Sequence, residues 1–128
     1  MPDTASQVQS LGEVYAQALL NEARKQNALD QVTEDLHGIG QLLRENALFR
    51  AFVEALDIGA EERLASLTRV FQGRVHTLTL NVVLAMARRD RLMYLGGLVQ
   101  AFDELLRRSA GRMDAEVTAP VSLVRSPL

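Results

Sequence analysis

The chain has 128 residues, enough for one domain with a single modest core. Hydrophobic residues make up 48% and charged residues 23%, and the formal charge of −2 leaves no electrostatic footprint for nucleic acid or anionic lipid. Cysteine is absent, which excludes disulfides and thiolate metal sites and is compatible with a reducing compartment.

The opening decapeptide, "MPDTASQVQS", is polar and aperiodic. It has neither a positive region before an apolar core nor an arginine-rich amphipathic pattern, so it signals neither export nor organelle import. Residues 1–10 are expected to be a flexible N-terminus. From Leu11 the apolar residues recur as Leu11, Val14, Tyr15, Ala18 and Leu19, with Leu20 and Ala23 widening the stripe; this is helical spacing to about Gln26. A second helix follows through Leu29, Val32, Leu36, Ile39 and Leu43 to Asn46, with a narrow stripe and a charged opposite face.

Leu48, Phe49, Phe52, Val53 and Leu56 predict a short third helix. In "DIGAEER" a turn leads into a fourth, since Glu61 and Glu62 suit a helix N-terminus, where unpaired amides and the dipole favour anions. Its inner face is read as Leu64, Leu67, Val70 and Phe71, with Gly73 as terminator. The fifth helix, "HTLTLNVVLAMARRDRL", is apolar nearly all round: Leu78, Leu80, Val82, Val83, Leu84, Ala85, Met86 and Ala87 leave little polar face. A surface helix shows one apolar stripe, and a helix apolar on every side is normally buried at the centre of a bundle. The apolar run is far shorter than the ~20 residues that cross a bilayer, so no direct membrane insertion is expected.

The sixth helix is read from Arg91 to Ala110, with Leu95, Leu98, Val99, Phe102, Leu105 and Leu106 inward and Gly111 as cap. Gly96-Gly97 marks either its start or a close helix crossing, because each glycine costs ~1 kcal/mol against alanine inside a helix. The pattern then alternates: Met113, Ala115, Val117 and Ala119 against Arg112, Asp114, Glu116 and Thr118. Period two predicts a short extended segment, yet no other segment offers it a partner strand. Residues 112–128 are therefore expected to begin a second domain that is truncated or missing here, after a helical bundle domain over 11–111.

Catalytic chemistry is not signalled. His37 and His76 have no neighbours at ligand spacing, so both are read as solvated or capping, and no metal or cofactor is expected. Glu34-Asp35 and Glu61-Glu62 are adjacent and diverge on a helix, and Ser10, Ser66 and Ser109 lack a nucleophile elbow. Arg88, Arg89 and Arg91 cluster at the end of the fifth helix, and Arg107, Arg108 and Arg112 at the end of the sixth. Cations there complement the helix dipole; the functional alternative is a docking rim for acidic partner side chains.

Three stretches carry a family resemblance. "VYAQALLNEARKQN" resembles the opening helix of the delta subunit of F-type ATP synthases, called the oligomycin sensitivity conferral protein in mitochondria: a Tyr-Ala pair, a small residue, then apolar residues, matched by Tyr15, Ala16, Ala18, Leu19 and Leu20. "LNVVLAMARRDRL" is similar to that family's fifth helix, and "GRMDAEVTAPVSL" to its crossing into a second domain. The likeness runs from about residue 11 to 123, in order; the family's C-terminal, stalk-binding domain has no counterpart in the chain.

The resemblance implies an all-α fold, a six-helix bundle followed by a short C-terminal extended segment. It implies a non-catalytic stator component, peripheral to the cytoplasmic face of the bacterial plasma membrane, in which the first and fifth helices hold the N-terminal helix of an alpha subunit. Contact with the peripheral-stalk b subunit is expected only if the missing domain exists. A helix apolar on two sides can give one to its own core and one to a guest. Within that frame Tyr15, Ala18, Leu19 and Glu22 are assigned to the guest side of the first helix, and Leu78, Asn81, Val82, Ala85 and Arg89 to that of the fifth. Tyr15, Ala18, Asn81 and Ala85 are carried over from the family pattern and the others follow by spacing. The isolated chain is expected to be a monomer or a weak self-associate. The alternative is a small all-helical RNA-binding or transcription-adaptor domain using the arginines as a phosphate footprint; a single lysine, Lys25, and the negative net charge oppose it.

Overall fold

The computed structural model describes the backbone of residues 4–121 and the side chains of residues 11–110. Its elements in chain order are α1 (Thr4–Lys25), α2 (Leu29–Glu45), α3 (Ala47–Glu54), α4 (Ala60–Phe71), α5 (Thr77–Arg88), one 3-10 turn (Leu92–Tyr94) and α6 (Leu95–Val121). The fold is an all-α bundle, as the periodicity predicts.

The longest contact runs between α1 and α6. The two helices lie in parallel register: Gly12 backs onto Gly97, and farther along Arg24 donates to the Ser109 hydroxyl at 2.9 Å. A Cβ placed on Gly12 would sit 2.6 Å from the Gly97 carbonyl carbon, so absence of a side chain is what lets these backbones meet. The Gly96-Gly97 pair thus marks both a helix start and a close crossing. α2 runs back along α6, with Gly40 against Val99 and His37 3.8 Å from Asp103. α4 and α5 pack together, and α3 locks onto α4 through an edge-to-face pair, Phe49 and Phe71, 6.0 Å between ring centres. The core takes Leu36 and Ile39 from α2, Leu67 from α4, Val83 and Met86 from α5, and Leu95, Leu98 and Phe102 from α6, all essentially inaccessible.

Helix ends follow local chemistry. Asn46 caps α3 by accepting from Phe49 N at 2.9 Å, and Arg50 donates to the carbonyls of Leu43 and Arg44, satisfying the end of α2. His76 caps α5, its Nδ1 accepting from Leu78 N at 3.0 Å, which fits the capping reading. Gly73 adopts φ +82 in the turn after α4, a conformation that favours glycine.

Four expectations are corrected. The backbone is helical from Thr4, where the polar pattern predicts a flexible end, residues 1–3 lying outside the described residues; a polar segment can extend a helix that tertiary packing already nucleates. α6 continues through Gly111 to Val121, so 112–121 is helical where alternation predicts an extended segment. A lone strand leaves its amides unpaired, whereas a helix satisfies them within itself. α5 stops at Arg88 and the chain turns through Asp90, at φ +56, before the 3-10 turn. Lastly Val70, expected on the inner face of α4, is 40% exposed, and Val14, Leu48 and Leu56, which mark the apolar stripes of their segments, are exposed at 66%, 84% and 87%.

Candidate functional site

α5 is not enclosed on every side. Thr79, Val83, Met86 and Ala87 are buried, whereas Leu78, Leu80, Val82 and Leu84 only border the core, Ala85 is half-buried, and Asn81 and Arg89 are exposed. At about 100° per residue, Leu78, Val82, Ala85 and Arg89 fall within one narrow sector of the helix, and Asn81 lies at its edge. The residues assigned to the guest side of α5 therefore form one continuous, incompletely covered stripe.

On α1, which packs against α5, the same arithmetic gives a mixed answer. Ala18 and Glu22 are exposed. Tyr15 is 9% exposed, with its ring in the core cluster and its hydroxyl reaching the rim. Leu19 is 4% exposed and belongs to the core, so it offers no free surface: it lies on the buried flank of the stripe, against the bundle interior. Val14, one turn before Ala18, takes its place as the apolar side chain facing outward. A wide stripe conceals which of its edges is wet, and for that reason sequence periodicity alone misses Val14.

α5 is pinned at both ends. At its start the buried Asp35 carboxylate on α2 accepts from His76 N at 2.7 Å and from Thr79 Oγ1 at 2.9 Å, while Gln31 donates to its other oxygen at 3.0 Å. Just beyond its end, Arg91 donates to the Tyr15 hydroxyl at 3.3 Å. Burial alone would push the Tyr15 phenol up, but the hydrogen bond from Arg91 and the positive charge of Arg91 and Arg89 outweigh it, holding the group below the ordinary tyrosine value.

The two arginine clusters differ. Arg107 and Arg108 form exposed ion pairs on their own helix with Asp103 and Glu104, 3.1 Å at the closest, which leaves little charge for a phosphate footprint. Arg112 lies outside the described side chains. Among the described residues no three His, Asp or Glu side chains are grouped as a metal site, and no helix is long and apolar enough to cross a membrane. A second apolar feature, a cleft of about 330 Å³ between α2, α3 and α4, is lined by Leu42, Phe49, Phe52, Leu67 and Val70, with Leu48 at its mouth.

Fold and surface together define a small helical bundle that leaves apolar side chains incompletely covered on α5 and around the α2–α3–α4 cleft. Residues 11–126 match the family model for the ATP synthase delta (OSCP) subunit, and the chain belongs to that family. It is 32% identical over 116 residues to "ATP synthase subunit delta" of Rhodopirellula baltica, covering 90% of this chain and 51% of that one. The corresponding subunit of Synechococcus sp. (strain JA-3-3Ab) is 32% identical over 112 residues, 88% of this chain and 62% of the relative. That of Rhizobium leguminosarum is 30% identical over 122 residues, 94% of this chain and 65% of the relative. The chain thus spans between about half and two thirds of the length of these relatives.

Proposed function

We propose that the chain acts as a non-catalytic stator element of an F-type ATP synthase, seating the N-terminal helix of an alpha subunit along α1 and α5. It would hold the catalytic head against rotor torque, peripheral to the cytoplasmic face of a bacterial membrane. Any contact with a b subunit of the stalk would belong to a C-terminal domain of the kind the longer relatives have room for. Membership of the delta family supports the assignment to the complex. The observation that carries the site is the stripe Leu78, Val82 and Ala85 on α5, apolar yet incompletely covered, with Ala18 and Val14 exposed on α1, which packs against that helix.

Small residues at 18 and 85 permit close approach of a guest backbone, and its apolar side chains would bury against Val14, Leu78 and Val82. Burying about four guest side chains at roughly 1.5–3 kcal/mol each, less at least ~4 kcal/mol for immobilising the guest, leaves up to about 8 kcal/mol, a dissociation constant of about a micromolar at the tightest. Isothermal titration with a peptide from the N-terminus of the cognate alpha subunit tests this. Binding that Ala18→Arg and Ala85→Arg abolish, with helicity and unfolding midpoint retained, is the expected result. Absence of heat at tens of micromolar peptide contradicts the assignment, and unfolding of Ala85→Arg would make Ala85 a core position.

A further inference from the structure

The ends of the α1–α5 face differ in charge. At the α5 C-terminus stand Arg88, Arg89 and Arg91, against one neighbouring carboxylate, Asp90. Part of that positive charge answers the α5 dipole, and Arg91 is half-buried and committed to Tyr15. Arg89 is exposed, sits at the α5 C-cap, and makes no ion pair among the described residues. At the other end Glu22 and Lys25 pair at 3.3 Å and cancel, while Arg24 in the same turn is directed away to the Ser109 hydroxyl on α6. The face therefore has a cationic end and a neutral one.

The Tyr15 hydroxyl completes the cationic end. It accepts from Arg91, so its own O–H remains available to donate. Its lowered phenol pKa, with Arg89 and Arg91 both acting on the oxygen, makes it a stronger donor than an ordinary tyrosine.

We propose that this end of the face fixes the direction of the guest helix by taking one guest carboxylate between the Tyr15 hydroxyl and the Arg89 guanidinium, with Arg91 positioning the tyrosine. This rests on the docking reading above. The occupant it fits is an amphipathic helix whose apolar stripe finishes at a Glu or Asp. Inserted the other way round, such a helix would leave its carboxylate at the neutral end and the guanidinium without a partner.

The test is a charge scan by isothermal titration against the full 128-residue chain. Each Glu and Asp of the alpha N-terminal peptide is changed in turn to Gln or Asn. One such change is expected to weaken binding about five- to tenfold, as for a charge-assisted contact at an interface rim. That difference should vanish in Arg89→Ala and shrink in Tyr15→Phe, while the wild-type peptide still binds both variants. If every neutralised peptide binds as well as the parent, the direction-setting contact is wrong and the docking reading stands. If the penalty persists in both variants, the carboxylate docks elsewhere and the inference falls. If no peptide binds the wild-type chain at all, the docking reading itself has failed.

Discussion

Asp35 Oδ2 on α2 lies 2.9 Å from Thr79 Oγ1 on α5, and the same oxygen accepts the His76 amide at 2.7 Å. Thr79 is inaccessible to solvent and Asp35 only 7% exposed, so this is a buried contact between two helices. It fixes where α5 begins, and hence how the stripe from Leu78 to Arg89 sits against α1.

Removing the carboxylate should therefore hurt. Asp35→Ala leaves a buried hydroxyl and a helix-capping amide without partners, and we expect a loss of about 2–4 kcal/mol. Thr79→Val deletes one hydrogen bond and should cost about 1–2 kcal/mol. Urea unfolding followed by circular dichroism reads both as shifts in midpoint at unchanged slope. A loss under ~0.5 kcal/mol for Asp35→Ala would mean that water replaces the carboxylate at no cost.

Two glycines should respond in opposite senses. A methyl on Gly12 would meet the Gly97 backbone at 2.6 Å, so Gly12→Ala must push α1 away from α6, at about 1–3 kcal/mol or more. A methyl on Gly38 meets nothing within 4 Å, inside α2. Gly38→Ala should stabilise by about 0.5–1 kcal/mol through the unfolded chain. The same melting series checks both, and a neutral Gly12→Ala would show that the helices do not cross where the backbones are drawn together.

The helix count, the α2 stripe and the glycine crossing were legible because each follows a local period or a local cost. What the sequence could not tell was orientation. The α1 stripe is wide enough that Val14 and Leu19 both look inward, and only packing against α5 and α6 separates the exposed 66% of one from the 4% of the other. Alternation after Arg112 is a real pattern of side chains, but the choice between strand and helix is made by available backbone partners, and there α6 simply continues. Asp35 is similarly silent in the sequence, as one acid beside another on a charged helix; its partners on the α5 side lie 41 and 44 residues away.

Tyr15 should titrate early. Ultraviolet titration of the wild type minus Tyr15→Phe isolates its phenol, with a midpoint expected below about 10. Because the folded-state value is the lower one, the unfolded chain binds more protons in the window just below pH 10, and Tyr15 makes stability rise with pH there. That contribution is complete above the unfolded value and lost as pH falls through the folded one. Arg91→Leu removes the main lowering contact and leaves only Arg89 to oppose burial, so the midpoint should move up. A midpoint unchanged by Arg91→Leu would mean the guanidinium does not reach the hydroxyl in solution.

The central claim is that α5 gives one face to its own core and offers the other to a foreign helix. Backbone amide NMR of the isotope-labelled chain, titrated with the alpha N-terminal peptide, tests it most directly. We predict that the shifts concentrate on Val14–Glu22 of α1 and Leu78–Arg89 of α5. Shifts clustered instead around Leu48, Phe52 and Val70 at the α2–α3–α4 cleft, or no shifts at saturating peptide, would contradict it.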